Sequence, residues 1–319
     1  MTKIATIKTF VRNTVLPALR QPVIRFMLGL GVLMAIGVGA ALVVFAEGLH
    51  VTNLTDLVPW GLWISIDLSS IALAAGAFSI SAIAYLLHRK ELRPVATTAV
   101  YVGFVCYSIA MMMLLLDIGR PDRFWHGFVF WNIHSPLWEV TMCVGLYFTV
   151  LLMEVAPIIG HWEPVEHRFP RLSHRLGSLH ALTPYLALIG LCLSTLHQSS
   201  LGLTYGNLIA RPIWSRPIPM AVSFYLSAIV GGIALVTCIS FLAPHLTPRA
   251  RVNKVTLDKL AYTVGWAALF LLVVRWWDLM SMPVNYEPAK SEALYILTRG
   301  RLAFNFWGLE ILLGMVVPA

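Results

Sequence analysis

Eight ionisable side chains lie inside or at the edges of long apolar runs: Asp67, Asp117, Glu139, Glu154, His197, Arg275, Asp278 and Glu310. If those runs cross a bilayer, a charge near its centre costs on the order of 3 kcal/mol, which makes each residue a candidate for function. By position along the runs, seven of the eight gather toward one half of a membrane. Glu154 lies toward the other half, near a segment end, and reads as solvated. Asp117 and Arg120, like Arg275 and Asp278, are three residues apart and share a helical face, so each pair is structural or functional. Asp67, Glu139 and His197 have no such partner in sequence and point to a shared polar cavity.

Carboxylates and a histidine just beneath a membrane surface suit a quinone head. Reducing a quinone takes up two electrons and two protons, and oxidising the quinol releases them. The site therefore needs hydrogen-bonding groups at both ring oxygens and side chains that exchange protons near neutral pH. Haem suits the sequence less well. Of ten histidines only His180 and His197 fall within the apolar segments, at opposite ends of the same one, so no facing imidazole pair is expected. The four cysteines (Cys106, Cys143, Cys192 and Cys238) sit in apolar runs without a CxxC pair and read as packing residues, giving no metal or iron–sulfur site. Electrons would have to pass to a redox subunit outside this chain.

The elements that must hold these residues are set by composition. The chain is 58% hydrophobic and 12% charged, with a mean hydropathy of +0.77. That is far from the roughly 25% charge of a soluble domain. Eight apolar segments, near 26–46, 61–87, 95–117, 137–159, 179–198, 219–243, 259–280 and 303–319, predict an all-α integral membrane protein of about eight transmembrane helices. The net charge of +8 falls in short loops, as membrane topology requires, and does not suggest nucleic acid. Of 23 Lys and Arg residues, fifteen lie in the N-terminus and alternate loops, seven in the opposite loops and one, Arg275, within a helix. That bias puts the N-terminus in the cytoplasm.

Residues 1–25 carry no signal-peptide apolar region and read as an amphipathic cytoplasmic lead-in to a single transmembrane domain over 26–319. The opposite loops are rich in aromatics, as in RPDRFWHGFVFWNIHSPLW, and serve as an interfacial belt or a docking surface. The final run, ILLGMVVPA, is short for a span and reads as truncated or as covered by another subunit.

Several stretches resemble the NrfD-type membrane subunits, the family of the polysulfide-reductase membrane subunit. These are VPWGLWISIDL at 58–68, LDIGR at 116–120, NIHSPLWEVTMCV at 132–144 and LSTLHQSSLG at 193–202, with weaker echoes in VVRWWDL at 273–279 and FWGLEILLGMVVP at 306–318. The likeness is greatest to the HybB branch, found with periplasmic nickel–iron hydrogenases, and to the DsrP branch of sulfur metabolism. It implies two four-helix bundles, here 61–198 and 219–319, no haem, and a quinone site in the first bundle near the periplasmic face. It also implies a ferredoxin-like iron–sulfur partner, a hydrogenase-like or sulfur-type catalytic subunit, and a bacterial or archaeal inner membrane. HybB-like chains generally continue through two more helices, which bears on the second bundle's completeness.

On this reading His197 and Glu139 lie near the oxygens of menaquinone or ubiquinone, or serve their proton exchange, and Asp67 lines the pocket or orients them. Asp117 with Arg120 holds a helix end, Trp60 and Gly61 shape the entrance, and Ser199 and Ser200 donate hydrogen bonds or cap a helix end. Arg275, Asp278 and Glu310 belong to an ion path or a structural pair. An ion translocator and a passive anchor for a peripheral enzyme are the competing readings.

Overall fold

An apolar run in lipid must satisfy every backbone N–H and C=O within itself, and a helix does so. The computed structural model describes residues 21–246, 252–285 and 288–319, and no strand occurs among them. Seven helices are long and apolar enough to cross a membrane. They are α1 (Pro22–Glu47), α2 (Leu62–Leu86), α3 (Arg93–Asp117), α4 (Pro136–Gly160), α5 (Thr183–Gly206), α6 (Pro217–Leu246) and α7 (Lys254–Ser281). Proline opens α1, α4 and α6, where its missing N–H costs nothing and its fixed φ already suits a helix. Ser135 caps α4 by accepting from the Trp138 N–H, and Asn253 caps α7 by accepting from the Val255 N–H. The lead-in expected over residues 1–25 lies outside the described residues as far as residue 20, and α1 has begun by Pro22.

The eighth expected segment takes a different form. Residues Asn305–Val316 form a π-helix of 12 residues. Even at the α-helical rise it would extend only about 18 Å, against the roughly 30 Å of a hydrocarbon core. The count of full-length spans is therefore seven among the described residues.

By packing, the described residues divide into two compact units, those within 21–63 with 114–123, and those within 64–113 with 124–319. In the first, the chain leaves α3 through Gly119 at φ +69°, where a Cβ would come 3.1 Å from Leu49 Cδ1; glycine meets both demands. In the second, one core joins Ile71, Phe78, Tyr107, Tyr147, Leu151 and Leu186, drawn from α2, α3, α4 and α5. A neighbouring core joins Ile80 and Val102 of α2 and α3 to Val236, Leu260 and Leu271 of α6 and α7 and to Met315. Helices α2 and α6 cross where Gly76 and Gly232 meet: a Cβ on Gly76 would fall 1.8 Å from the Ala228 carbonyl oxygen. Small residues at such crossings let two backbones approach closely, which in lipid is a main source of helix association.

Candidate functional site

The face of α5 that buries Leu186, Gly190 and Ser194 also carries His197, only 1% exposed. Gly190 makes this packing possible, because a Cβ there would stand 2.4 Å from Phe78 Cζ. His197 Nδ1 lies 3.1 Å from the Tyr107 hydroxyl, which also reaches the Val144 carbonyl at 3.4 Å. Two proton arrangements fit that geometry. Tyr107 either donates to Nδ1, leaving the proton on Nε2, or accepts from it and donates to Val144. His197 Nε2 has no hydrogen-bond partner among the described residues, and the same holds for the side-chain amide of Gln198 and the hydroxyl of Tyr147. Buried polar atoms are nearly always paired, so such a cluster calls for an occupant or a role.

Asp67, 4% exposed in the second turn of α2, lies within electrostatic reach of Tyr107. The Tyr107 ring meets Tyr147 edge-on at 4.9 Å and His197 at 5.9 Å. Asp67 and His197, singled out by sequence, both lie near Tyr107, which sequence reasoning passed over. A tyrosine within an otherwise apolar stretch of α3 was the available signal, and Tyr147 in α4 is another.

The other expected residues sort differently. Glu139 is half-buried in the first turn of α4, and its side chain makes no hydrogen bond among the described residues. Ser199 and Ser200 do not cap a helix end, because α5 continues to Gly206. His197 consequently lies about 14 Å before that end, deeper than its run suggested. The glycines of GLTYG, read as loop, are helical because α6 packs on them: a Cβ on Gly202 would fall 2.6 Å from Ala221 Cα.

Asp117 does not pair with Arg120. Its carboxylate accepts from Trp63 Nε1 at 2.7 Å, while Arg120, turned away past Gly119, holds the exposed Asp122 through two bonds of 2.9 Å. Those bonds hold the Asp122 carboxyl below the usual range. Trp60 and Gly61 immediately precede α2, and a Cβ on Gly61 would press the Trp63 ring at 3.1 Å.

A second polar cluster surrounds Asp278, which is 1% exposed. Arg275 reaches it at 2.9 Å, as the three-residue spacing predicts, and turns its Nε to Glu310 at 2.6 Å. Arg216, which reads in sequence as a loop cation, is buried here. It donates to Asp278 Oδ1 and to the Ile213 carbonyl, each at 2.5 Å. The Arg275 guanidinium lies 5.6 Å from the Phe306 ring centre. Two cations and two carboxylates neutralise one another in this network.

Glu154 is also a correction. It is 5% exposed, not solvated, because it faces inward two turns beyond Tyr147 on α4. Ser81 lies beside it without completing a hydrogen bond, and Tyr85 and Tyr147 are within electrostatic reach.

Five surface concavities of about 300–660 Å³ open elsewhere, and none is lined by Asp67, Glu139 or His197.

Long apolar helices enclosing unpaired polar atoms define a multi-pass membrane protein. The chain belongs to the NrfD polysulphide reductase family, whose model matches residues 50–319. It is 37% identical to the integral membrane subunit of menaquinone reductase from Nitratidesulfovibrio vulgaris, over 80% of this chain and 62% of that one. It is 23% identical to a selenate reductase subunit of Mesobacillus selenatarsenatis, over 63% and 52%. It is 25% identical to a probable Ni/Fe-hydrogenase 2 b-type cytochrome subunit of Escherichia coli, over 74% and 60%. The chain thus spans somewhat over half the length of these relatives.

Proposed function

We propose that this chain is the quinone-reactive membrane subunit of a multisubunit oxidoreductase, exchanging electrons between menaquinone and an iron–sulfur subunit on the periplasmic side of an inner membrane. The observation that carries the reading is His197 Nε2, buried and without a partner among the described residues while Tyr107 holds Nδ1. A quinone oxygen is a partner of the right chemistry, accepting from Nε2–H when oxidised and donating to bare Nε2 when reduced. Tyr107 adjusts the ring's tautomer as that proton moves, and Asp67 lies within electrostatic reach of Tyr107. Glu139, half-buried at the start of α4, exchanges the proton with water. The partner's clusters supply or take the electrons. The relative named menaquinone reductase supports menaquinone as the quinone.

The test is the quinone content of the purified complex. Wild-type protein from menaquinone-containing membranes should retain the quinone through extraction. His197→Ala, which loses one buried hydrogen bond worth about 1–1.5 kcal/mol, should bind it on the order of tenfold more weakly. Equal retention by His197→Ala and Glu139→Gln would remove the assignment.

Glu154 favours a second reading, in which protons for the quinone come from the opposite side of the membrane. From Glu154 the side chains of Tyr147, Tyr107 and His197 follow one another across α4, α3 and α5. Glu154→Gln should abolish charge movement in liposomes while quinone still reacts. Wild-type charge movement in both Glu154→Gln and Glu310→Gln would dismiss translocation.

A further inference from the structure

Between α4 and α5 the chain folds into two short helices, Glu163–Arg168 and Pro170–Ser178. Because they join the ends of two spans, they lie at the level of the membrane boundary. The second packs close under α4: a Cβ on Gly160 would come 3.0 Å from Leu176 Cβ and 3.1 Å from the Ser173 carbonyl oxygen. Ser173, Leu176 and Gly177 are thereby partly covered, while Arg171, Leu172 and Arg175 on the other side are more open. Arg168, Phe169, Pro170, Arg171, Leu172 and Arg175 line a concavity of about 560 Å³ that contains no acidic side chain. None of its three arginines takes part in an ion pair among the described residues. Phe169 is 53% exposed and Leu172 47%.

We propose that this concavity holds the headgroup of an anionic phospholipid, its phosphate on Arg168, Arg171 and Arg175 and its acyl chains against Phe169 and Leu172. The combination decides the class of ligand. Unpaired guanidiniums bind phosphate oxygens in fork geometry. A soluble anion would have no use for the apolar side chains placed among them at a membrane boundary, whereas a lipid meets both. Each basic residue near a charged surface contributes about 1 kcal/mol, so three amount to roughly two decades of affinity. The site is separate from the His197 cluster and does not depend on the quinone reading.

The test is native mass spectrometry of the full chain in detergent, titrated separately with cardiolipin, phosphatidylcholine and inorganic phosphate. The wild type should keep one cardiolipin that survives mild activation, and the Arg168→Gln, Arg171→Gln, Arg175→Gln triple variant should bind it on the order of 100-fold more weakly. Phosphatidylcholine binding should be the same in both. Should the triple variant fail to fold, Arg171→Gln alone should lower cardiolipin affinity severalfold. Equal cardiolipin retention by the variant that folds would overturn the proposal. Displacement of the lipid by millimolar inorganic phosphate would overturn it as well, since the site would then be one for a soluble anion.

Discussion

Tyr107→Phe should lower quinone turnover by the assembled complex by about 100-fold or more, the range in which general acid–base groups act. The substitution removes one oxygen and keeps the ring, which packs edge-on to Tyr147 at 4.9 Å and lies 6.1 Å from Phe148. Folding should therefore change little, and the lost bond to His197 Nδ1 at 3.1 Å becomes the main effect. Without the phenol, Nδ1 has no partner to give it a proton or accept one as the tautomer changes, so Nε2 presents the wrong state to the quinone for part of the time. The fall should appear in kcat more than in KM, because a tautomer fault impairs proton transfer more than ring binding. Steady-state turnover of the complex with a soluble menaquinone analogue checks this. His197→Ala should be at least as damaging, and its pH–rate profile should lose a limb that Tyr107→Phe retains. A Tyr107→Phe complex with wild-type kcat would take Tyr107 out of the proton path.

The second large effect concerns stability. Arg216→Met or Asp278→Asn should each destabilise the chain by about 3–5 kcal/mol, the usual consequence of leaving one partner of a buried ion pair uncompensated. Asp278 receives bonds from both Arg216 and Arg275, so losing its charge strands Arg216 and leaves Arg275 with Glu310 alone. Replacing Arg216 and Asp278 together by Met and Leu should recover much of the loss, since Arg275 still has Glu310 at 2.6 Å. Thermal unfolding in detergent, followed by near-UV circular dichroism, measures all three variants. Single variants that unfold within about 0.5 kcal/mol of wild type would mean that water or lipid headgroups already screen the network. An ion path through this cluster would demand groups free to change partners; the mutual neutralisation of its charges favours the structural reading of Arg275, Asp278 and Glu310.

Composition and hydropathy alone determined the class of this protein. Apolar runs must close their own hydrogen bonds in lipid, so the helices and their approximate ends follow from the extent of the runs, as for those beginning near Pro136 and Pro217. The place of Asp67 near the start of its helix also followed from counting residues, and so did the face shared by Arg275 and Asp278.

Three further features were decided by the tertiary structure, because each depends on which surfaces meet. The glycines Gly202 and Gly206 would end a solitary helix, yet α6 packed against them keeps α5 helical and carries His197 deeper. Arg216 and Glu154 read as a loop cation and a solvated acid until packing places them inside. Tyr107 became part of the site only when α3 and α5 turned its hydroxyl and an imidazole toward each other from positions 90 residues apart. Local sequence fixes a residue's place along its helix; the direction its side chain faces, and what it meets there, is set by packing among helices.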